Sequence, residues 1–293
     1  MKLSPTSLVL RLLAFLPFYF SRMVGRIFGR MVWWRQGNSA RVTLRNIELC
    51  FPSWTNEQHR KLARRSLEET GRMALETPAV WCRGNQWRPT RVTRWENPEL
   101  FEKALEADSG LIMLIPHLGN WEMAGMIVSV RRPTTILYRE PRVSHLNDLL
   151  RELRNVGTAN LVPAGGQGVM AVLKTLRDKG MTMILPDQEP ATQGGIFSPF
   201  FGISAYSMTL VHRLHQKTSA RILFAYAKPE KNGFVVGFCE PEEVIYSESE
   251  QDSVDAMNRT IESLVIAAPE YYQWEYKRFR KRPAGEAKLY KKR

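Results

Sequence analysis

The sequence predicts an α/β fold, a mostly parallel sheet flanked by helices and preceded by an N-terminal membrane-associated helix. Three observations carry that expectation. From about residue 92 onward, short apolar runs alternate with stretches of helical length, the pattern of strands joined by crossover helices. Hydrophobic residues make up 44% of the 293, enough for a sizeable core and too many for global disorder. Residues 1–34 combine an apolar run with regularly spaced arginines, as interfacial helices do.

Along the chain, Leu8 to Phe20 is almost wholly apolar, broken by Arg11 and Pro17. Met23 to Trp34 follows, with Arg22, Arg26 and Arg30 four residues apart on one helical face and Trp33-Trp34 suited to headgroup level. A spanning helix needs about 20 apolar residues, more than Leu8 to Phe20 offers. The segment therefore reads as a monotopic anchor in the cytoplasmic interface, its arginines near lipid phosphates, in preference to a short span. The arginines after the apolar run are the wrong flank for a cleaved export signal. This gives an anchor over 1–37 and an α/β domain over 38–293 with a helical N-terminal part and a basic tail.

Thr43 to Leu49 is helical and stops at Pro52; Thr55 opens a second helix that Pro78 is expected to end. An aromatic-basic stretch follows, with Trp81, Trp87, Arg88 and Arg91. Helices are then expected over Pro98–Ala107, Trp121–Val130, Ser144–Asn155, Gly168–Lys179, Ala205–Gln216 and Asp252–Ala267. Strands are expected over Leu111–Ile115, Thr134–Tyr138, Ala159–Val162, Met181–Leu185, Ala220–Ala227 and Gly233–Phe238, with an irregular loop running from Leu185 to Gly202. No internal repeat or clean linker interrupts this part.

The 42 Lys and Arg outnumber the 29 Asp and Glu, a net charge of +13, so an anionic partner is expected. No helix-turn-helix or RNP-like motif accompanies the charge, and nucleic acid is not the expected partner. Cys50, Cys82 and Cys239 form no CxxC pair, and His212 and His215 have no third ligand nearby, so neither a disulfide framework nor a metal site is indicated. The residues imply no cofactor.

The most informative stretch is Ile112 to Glu122, a buried strand, a tight turn and the start of a helix. Within one continuous helix, His117 and Glu122 would lie about 140° apart. Pro116 and Gly119 instead keep His117 on the turn, and Asn120 is read as the N-cap. His117 can then fold back toward Glu122, an arrangement that suits a general base oriented by an acid. Glu in a first helical turn is also favoured by the helix dipole alone.

Further chemistry is expected where successive strands end: Tyr138-Arg139-Glu140-Pro141-Arg142, Leu185-Pro186-Asp187-Gln188-Glu189, and the apolar Ser198-Pro199-Phe200-Phe201-Gly202, fit to grip a hydrocarbon chain. Gly165-Gly166-Gln167-Gly168 lacks the Lys-Ser/Thr of a P-loop, and no G-x-S-x-G elbow is present.

Together these segments resemble the bacterial lipid A late acyltransferases, within the H-x4-D/E glycerolipid acyltransferases. The matching pieces are His117-Leu118-Gly119-Asn120-Trp121-Glu122, Tyr138-Arg139, Pro186-Asp187-Gln188, Pro199-Phe200-Phe201-Gly202, and Ala268-Pro269-Glu270-Tyr271-Tyr272-Gln273-Trp274 with Lys277-Arg278-Phe279-Arg280. The resemblance implies an inner-membrane enzyme facing the cytoplasm. It would move a fatty acyl chain from acyl carrier protein to a 3-hydroxyacyl hydroxyl of a Kdo-bearing lipid A precursor. It makes His117 and Glu122 catalytic, and Tyr138, Arg139, Arg154, Asp187 and Gln188 substrate-binding, Arg154 by spacing alone. The chain reads Asp187-Gln188-Glu189-Pro190 where many relatives have a second Asp followed by Tyr-Gly.

In that reading His117 takes the alcohol proton during attack on the thioester, and Glu122 holds the tautomer. Arg154, Arg139 or backbone N–H groups would stabilise the oxyanion. The motif holds neither Ser nor Cys, so no acyl-enzyme is needed. The basic C-terminal tail suits an acidic carrier protein and a phosphorylated acceptor, and is expected to be solvated beyond Pro283. A phospholipid or other glycolipid acceptor, or water in a thioesterase, are the alternatives.

Overall fold

The computed structural model describes residues 5–138, 159–191 and 193–290. The expected helix Ser144–Asn155, and with it Arg139 and Arg154, lies outside them. The elements are α1 (Pro5–Phe15), α2 (Phe18–Trp34), α3 (Asn38–Cys50), α4 (Asn56–Cys82), β1 (Val92–Glu96), α5 (Pro98–Glu106), β2 (Leu111–Leu114), α6 (Trp121–Val128), β3 (Thr134–Tyr138) and β4 (Ala159–Pro163). They continue with α7 (Gly166–Arg177), β5 (Met181–Ile184), β6 (Gly195–Phe200), β7 (Ile203–Met208), α8 (Leu210–Thr218), β8 (Arg221–Glu230), β9 (Gly233–Cys239) and α9 (Glu250–Ala267).

Seven strands form one sheet in the order β1-β9-β8-β2-β5-β3-β4. Strand β2 pairs in parallel with β5 and β8, and β3 pairs in parallel with β5 and β4. The β8–β9 hairpin is antiparallel, which turns β9 and its parallel neighbour β1 the other way. Every residue of β2 and β5 is buried, the unbroken apolar signature of parallel strands covered on both faces. Strand β1 is a finding that the alternating pattern did not reveal, because its residues are mostly exposed.

The chain divides into two compact units. The first comprises Met1–Arg22, Ala74–Ile184 and Leu214–Glu240 and contains the sheet. Its core joins Leu111, Met113 and Ile115 of the β2 segment to Met123, Ala124 and Ile127 of α6, with Met183, Leu223, Phe234 and Phe238.

The second comprises Met23–Met73, Leu185–Arg213 and Pro241–Arg293. Here α2 and α4 cross at main-chain contact: a Cβ on Gly25 would lie 2.4 Å from the Gly71 carbonyl oxygen, and one on Gly29 would lie 2.0 Å from that of Leu67. Only glycine permits such an approach. Strands β6 and β7 form a hairpin closed by Phe201 (φ 51°) and Gly202 (φ 72°), both in the left-handed region that a two-residue primed turn requires. Phe201 is held there by donating its N–H to Glu262 Oε1 at 2.8 Å.

Several expectations are corrected. Helix α4 runs through Pro78 to Cys82, because Ala79 and Val80 beyond the proline are buried. The expected loop to Gly202 and the first turn of the helix after it are the β6–β7 hairpin, and α8 starts only at Leu210. Pro199, which has no N–H to donate, is tolerated within β6 because the two-stranded sheet has no further neighbour on that edge. The Ser198–Gly202 loop therefore does not stand at the end of a main-sheet strand. Past Pro283, residues 284–288 are exposed as expected, but the chain is anchored beyond them, since Tyr290 donates its hydroxyl to Asn46 Oδ1 and accepts the Phe279 N–H.

Candidate active site at the carboxyl edge of the sheet

The site grows from β2. Ile115 extends the β2–β5 ladder by donating its N–H to the Ile184 carbonyl at 2.9 Å, and the chain then breaks at Pro116. Leu118 donates back to the Pro116 carbonyl at 2.7 Å, closing a tight turn with half-buried His117 at its middle. Gly119 follows at φ 64° and meets β8 so closely that a Cβ would lie 2.2 Å from the Ala227 carbonyl oxygen. Asn120 donates its N–H to that same oxygen at 2.8 Å. Its Oδ1 accepts the Met123 N–H at 3.0 Å, the N-cap expected for α6. The turn is thus fixed by main-chain contacts to strands on either side of β2.

His117 packs its ring edge-on against Trp121, with centroids 4.8 Å apart. Glu122, in the first turn of α6, accepts a hydrogen bond from the Trp81 indole N–H at 2.9 Å. Trp81 belongs to α4, 41 residues away in sequence, and nothing local in the motif pointed to it. Glu76, also in α4 and fully buried, accepts a bond from Asn120 Nδ2 at 3.3 Å and pairs with Arg22. Neither Glu76 nor Arg22 was singled out as a site residue from the sequence.

Tyr138 ends β3 at the same carboxyl edge, so it and the His117 turn share one side of the sheet. It is buried, and its carbonyl accepts the Ala164 N–H at 2.8 Å. Open α/β sheets place ligands at this edge.

Asp187 and Gln188 lie in the second unit. Asp187 is only 2% exposed and hydrogen-bonds Tyr272. Burial first, and then the Asp187 charge, push the Tyr272 phenol well above its usual value. Gln188 Nε2 approaches Gln273 Oε1 at 3.4 Å. Glu189, next along the loop, accepts bonds from Arg280 Nη2 at 2.8 Å and the Lys281 N–H at 2.9 Å. This loop is therefore held by the C-terminal segment.

Three expectations about surfaces change. Phe200 is 1% exposed, packed with Phe201, Tyr272 and Phe279 beneath the Arg278 guanidinium, and so belongs to the core of the second unit instead of an acyl channel. An apolar cavity of about 190 Å³ lies in the first unit, between Trp95, Phe101, Met126, Ile127 and Val130. Of the three N-terminal arginines, Arg22 is buried, while Arg26 and Arg30 are about half exposed and pair with Glu69 and Glu68 of α4. Within the basic tail, Arg278 is buried against the Tyr206 carbonyl and Arg280 serves Glu189. Among the described residues, no group of three His, Cys, Asp or Glu side chains could hold a metal ion.

Comparison with known proteins places this chain in a family. The family model described as bacterial lipid A biosynthesis acyltransferase matches residues 6–281. The lipid A biosynthesis palmitoleoyltransferase of Escherichia coli (strain K12) is 26% identical over 257 residues, covering 85% of this chain and 81% of the relative. The lauroyltransferase of the same strain is 23% identical over 288 residues, covering 96% and 92%, and its myristoyltransferase 22% identical over 273, covering 92% and 83%. With the motif turn at the carboxyl edge of its sheet, the chain belongs to the bacterial lipid A biosynthesis acyltransferase family and is an acyltransferase.

Proposed function

We propose that the protein transfers a fatty acyl group from acyl carrier protein to a 3-hydroxyacyl hydroxyl of a Kdo-bearing lipid A precursor. His117 is the general base and Glu122 orients and stabilises its imidazolium. The observation that carries this reading is the rigid turn holding His117 at the carboxyl edge of β2, pinned to β8 through Gly119 and Asn120. An alcohol becomes a competent nucleophile as its proton leaves, and a positioned base contributes about 10²–10⁴-fold. The Trp81 N–H on Glu122 holds that carboxylate in one orientation, as a base-orienting group requires. Tyr138, Arg139, Arg154, Asp187 and Gln188 form the proposed substrate-binding set.

The enzyme is proposed to work on the cytoplasmic face of the inner membrane, with residues 1–37 as its anchor and 38–293 as its catalytic part. No single helix among the described residues is long and apolar enough to cross a bilayer, and α1 and α2 are bent by 114° at their break. Support for an interfacial anchor comes from α2, which exposes Phe20, Met23, Ile27, Met31 and Trp34 as one stripe at helical spacing. Leu12 and Phe15 of α1 are also exposed.

The test is purified enzyme with acyl-carrier-protein thioesters of several lengths and a Kdo-bearing lipid A precursor, read by mass spectrometry. Transfer should vanish in His117→Ala and Glu122→Ala while folding persists. Thioester hydrolysis at the same rate without acceptor would make the protein a thioesterase, and transfer to a phospholipid instead would change the acceptor. Replacing Phe20, Ile27 and Met31 by Gln should release the protein from anionic vesicles; unchanged co-sedimentation would remove the anchor.

A further inference from the structure

We propose that Glu76, held in place by Arg22, is a positioning residue for the turn that carries His117. This inference rests on the reading of His117 as the base.

Glu76 is fully buried within α4. One of its oxygens accepts the Arg22 Nε–H, and the other accepts Asn120 Nδ2–H at 3.3 Å. The opposite end of the same amide, Asn120 Oδ1, accepts the Met123 N–H at 3.0 Å. A flipped amide would set two donors against each other at Met123 and two acceptors against each other at Glu76, so the Asn120 side chain has one permitted orientation. Capping α6 requires only the Oδ1 bond. The carboxylate adds rotational definition, at the desolvation cost that any buried charge carries.

Arg22 in turn fixes the carboxylate. It donates to the Gly233 carbonyl at 2.6 Å and the Lys231 carbonyl at 3.0 Å, both at the β8–β9 turn, and lies over the Phe18 ring at 4.2 Å. Strand β8 of that hairpin also supplies the Ala227 carbonyl that seats Gly119 and Asn120. The hairpin therefore grips the motif turn twice, once through main chain and once through the Arg22–Glu76–Asn120 relay. A base must be held in a productive pose, and displacement of about 1 Å is enough to slow a reaction by roughly 10²-fold.

The discriminating substitution is Asn120→Asp. Asp caps a helix as well as Asn does, but here it sets a carboxylate against Glu76. Combining it with Glu76→Gln restores a donor–acceptor pair of reversed polarity. In the acyl-transfer assay, N120D should lower kcat roughly 10–100-fold with KM within about twofold of wild type, and N120D/E76Q should recover most of the loss. In protein labelled with 5-fluorotryptophan, the Trp121 ¹⁹F resonance, assigned with Trp121→Phe, should move in N120D and return in the double variant, because the His117 ring lies against that indole. Wild-type kcat with an unmoved resonance in N120D, or a double variant no better than N120D, overturns the proposal. If N120D does not fold, R22M/E76M removes both buried charges together and leaves Asn120 its cap; wild-type kcat in that folded variant overturns it equally. An active His117→Ala would defeat the assignment of the base itself, whereas an inactive His117→Ala beside fully active N120D and R22M/E76M defeats only the positioning role.

Discussion

The first unit holds the His117 turn with main-chain hydrogen bonds from a sheet, whereas the second holds its loops with side chains from a nearly irregular C-terminal segment. In the first, Ile115, Gly119 and Asn120 are placed by β5 and β8 before any side chain acts. In the second, the Asp187 loop and the β6–β7 hairpin depend on Tyr272, Trp274, Arg278 and Arg280. Arg278 alone donates to the Tyr206 carbonyl at 2.7 Å and to Ser207 Oγ at 2.6 Å. The difference teaches that an activity lesion and a stability lesion should separate by unit.

The largest effect tests that separation directly. Phe279 is buried against Phe200, and Phe279→Ala should cost about 3–5 kcal/mol in urea unfolding. A small loss there would mean that the C-terminal segment does not organise the second unit. His117→Ala should leave the urea midpoint in place while removing the roughly 10²–10⁴-fold contribution of a base; a matching loss of stability would erase the contrast. Gly29→Val forces the α2–α4 crossing apart and should destabilise by about 1–3 kcal/mol or more, measured by helical circular dichroism against temperature.

A pH scan sharpens the comparison. Burial holds the Tyr271, Tyr272, Tyr276 and Tyr290 phenols of the second unit above their usual value, and that of Tyr226 in the first unit as well, so the second unit carries most of the effect. Because the folded values are raised, their stabilising contribution is complete below about pH 10 and is lost as pH rises further. Tyrosinate absorbance should lag behind that of free tyrosine and then rise together with unfolding; an ideal free-tyrosine titration in folded protein would refute this. The smallest effect is expected from Trp81→Phe, which removes one donor to the Glu122 carboxylate. A loss of about 1 kcal/mol corresponds to roughly fivefold in kcat/KM, with a fall in the urea midpoint well below that of Phe279→Ala.

The two regions also differed in how much the sequence disclosed. Strands β2 and β5 stand out because parallel strands buried on both faces leave largely apolar runs, and His117-x-x-Asn120 reads as a turn and an N-cap. The partners that complete the turn did not stand out. Trp81 and Glu76 come from a helix whose periodicity shows that it is helical but not what it faces, and Arg22 looks from spacing alone like one of three equivalent arginines. The β6–β7 hairpin escaped notice because Phe201 occupies a position that Asn or Gly usually signals. The C-terminal segment has no period to read, so its anchoring role emerges only from long-range bonds such as Asn46 Nδ2 to the Trp274 carbonyl at 2.7 Å.

The glycine crossing of α2 and α4 bears on how such a chain can be re-engineered. Helices separated by interdigitating side chains tolerate an exchanged partner by repacking, but Gly25, Gly29 and Gly71 leave no layer to repack. A chimera that borrows residues 1–34 from a relative should therefore express poorly, and one that borrows residues 1–82, taking α4 along, should express well. Equal yields of the two grafts would show that the N-terminal helices are interchangeable parts.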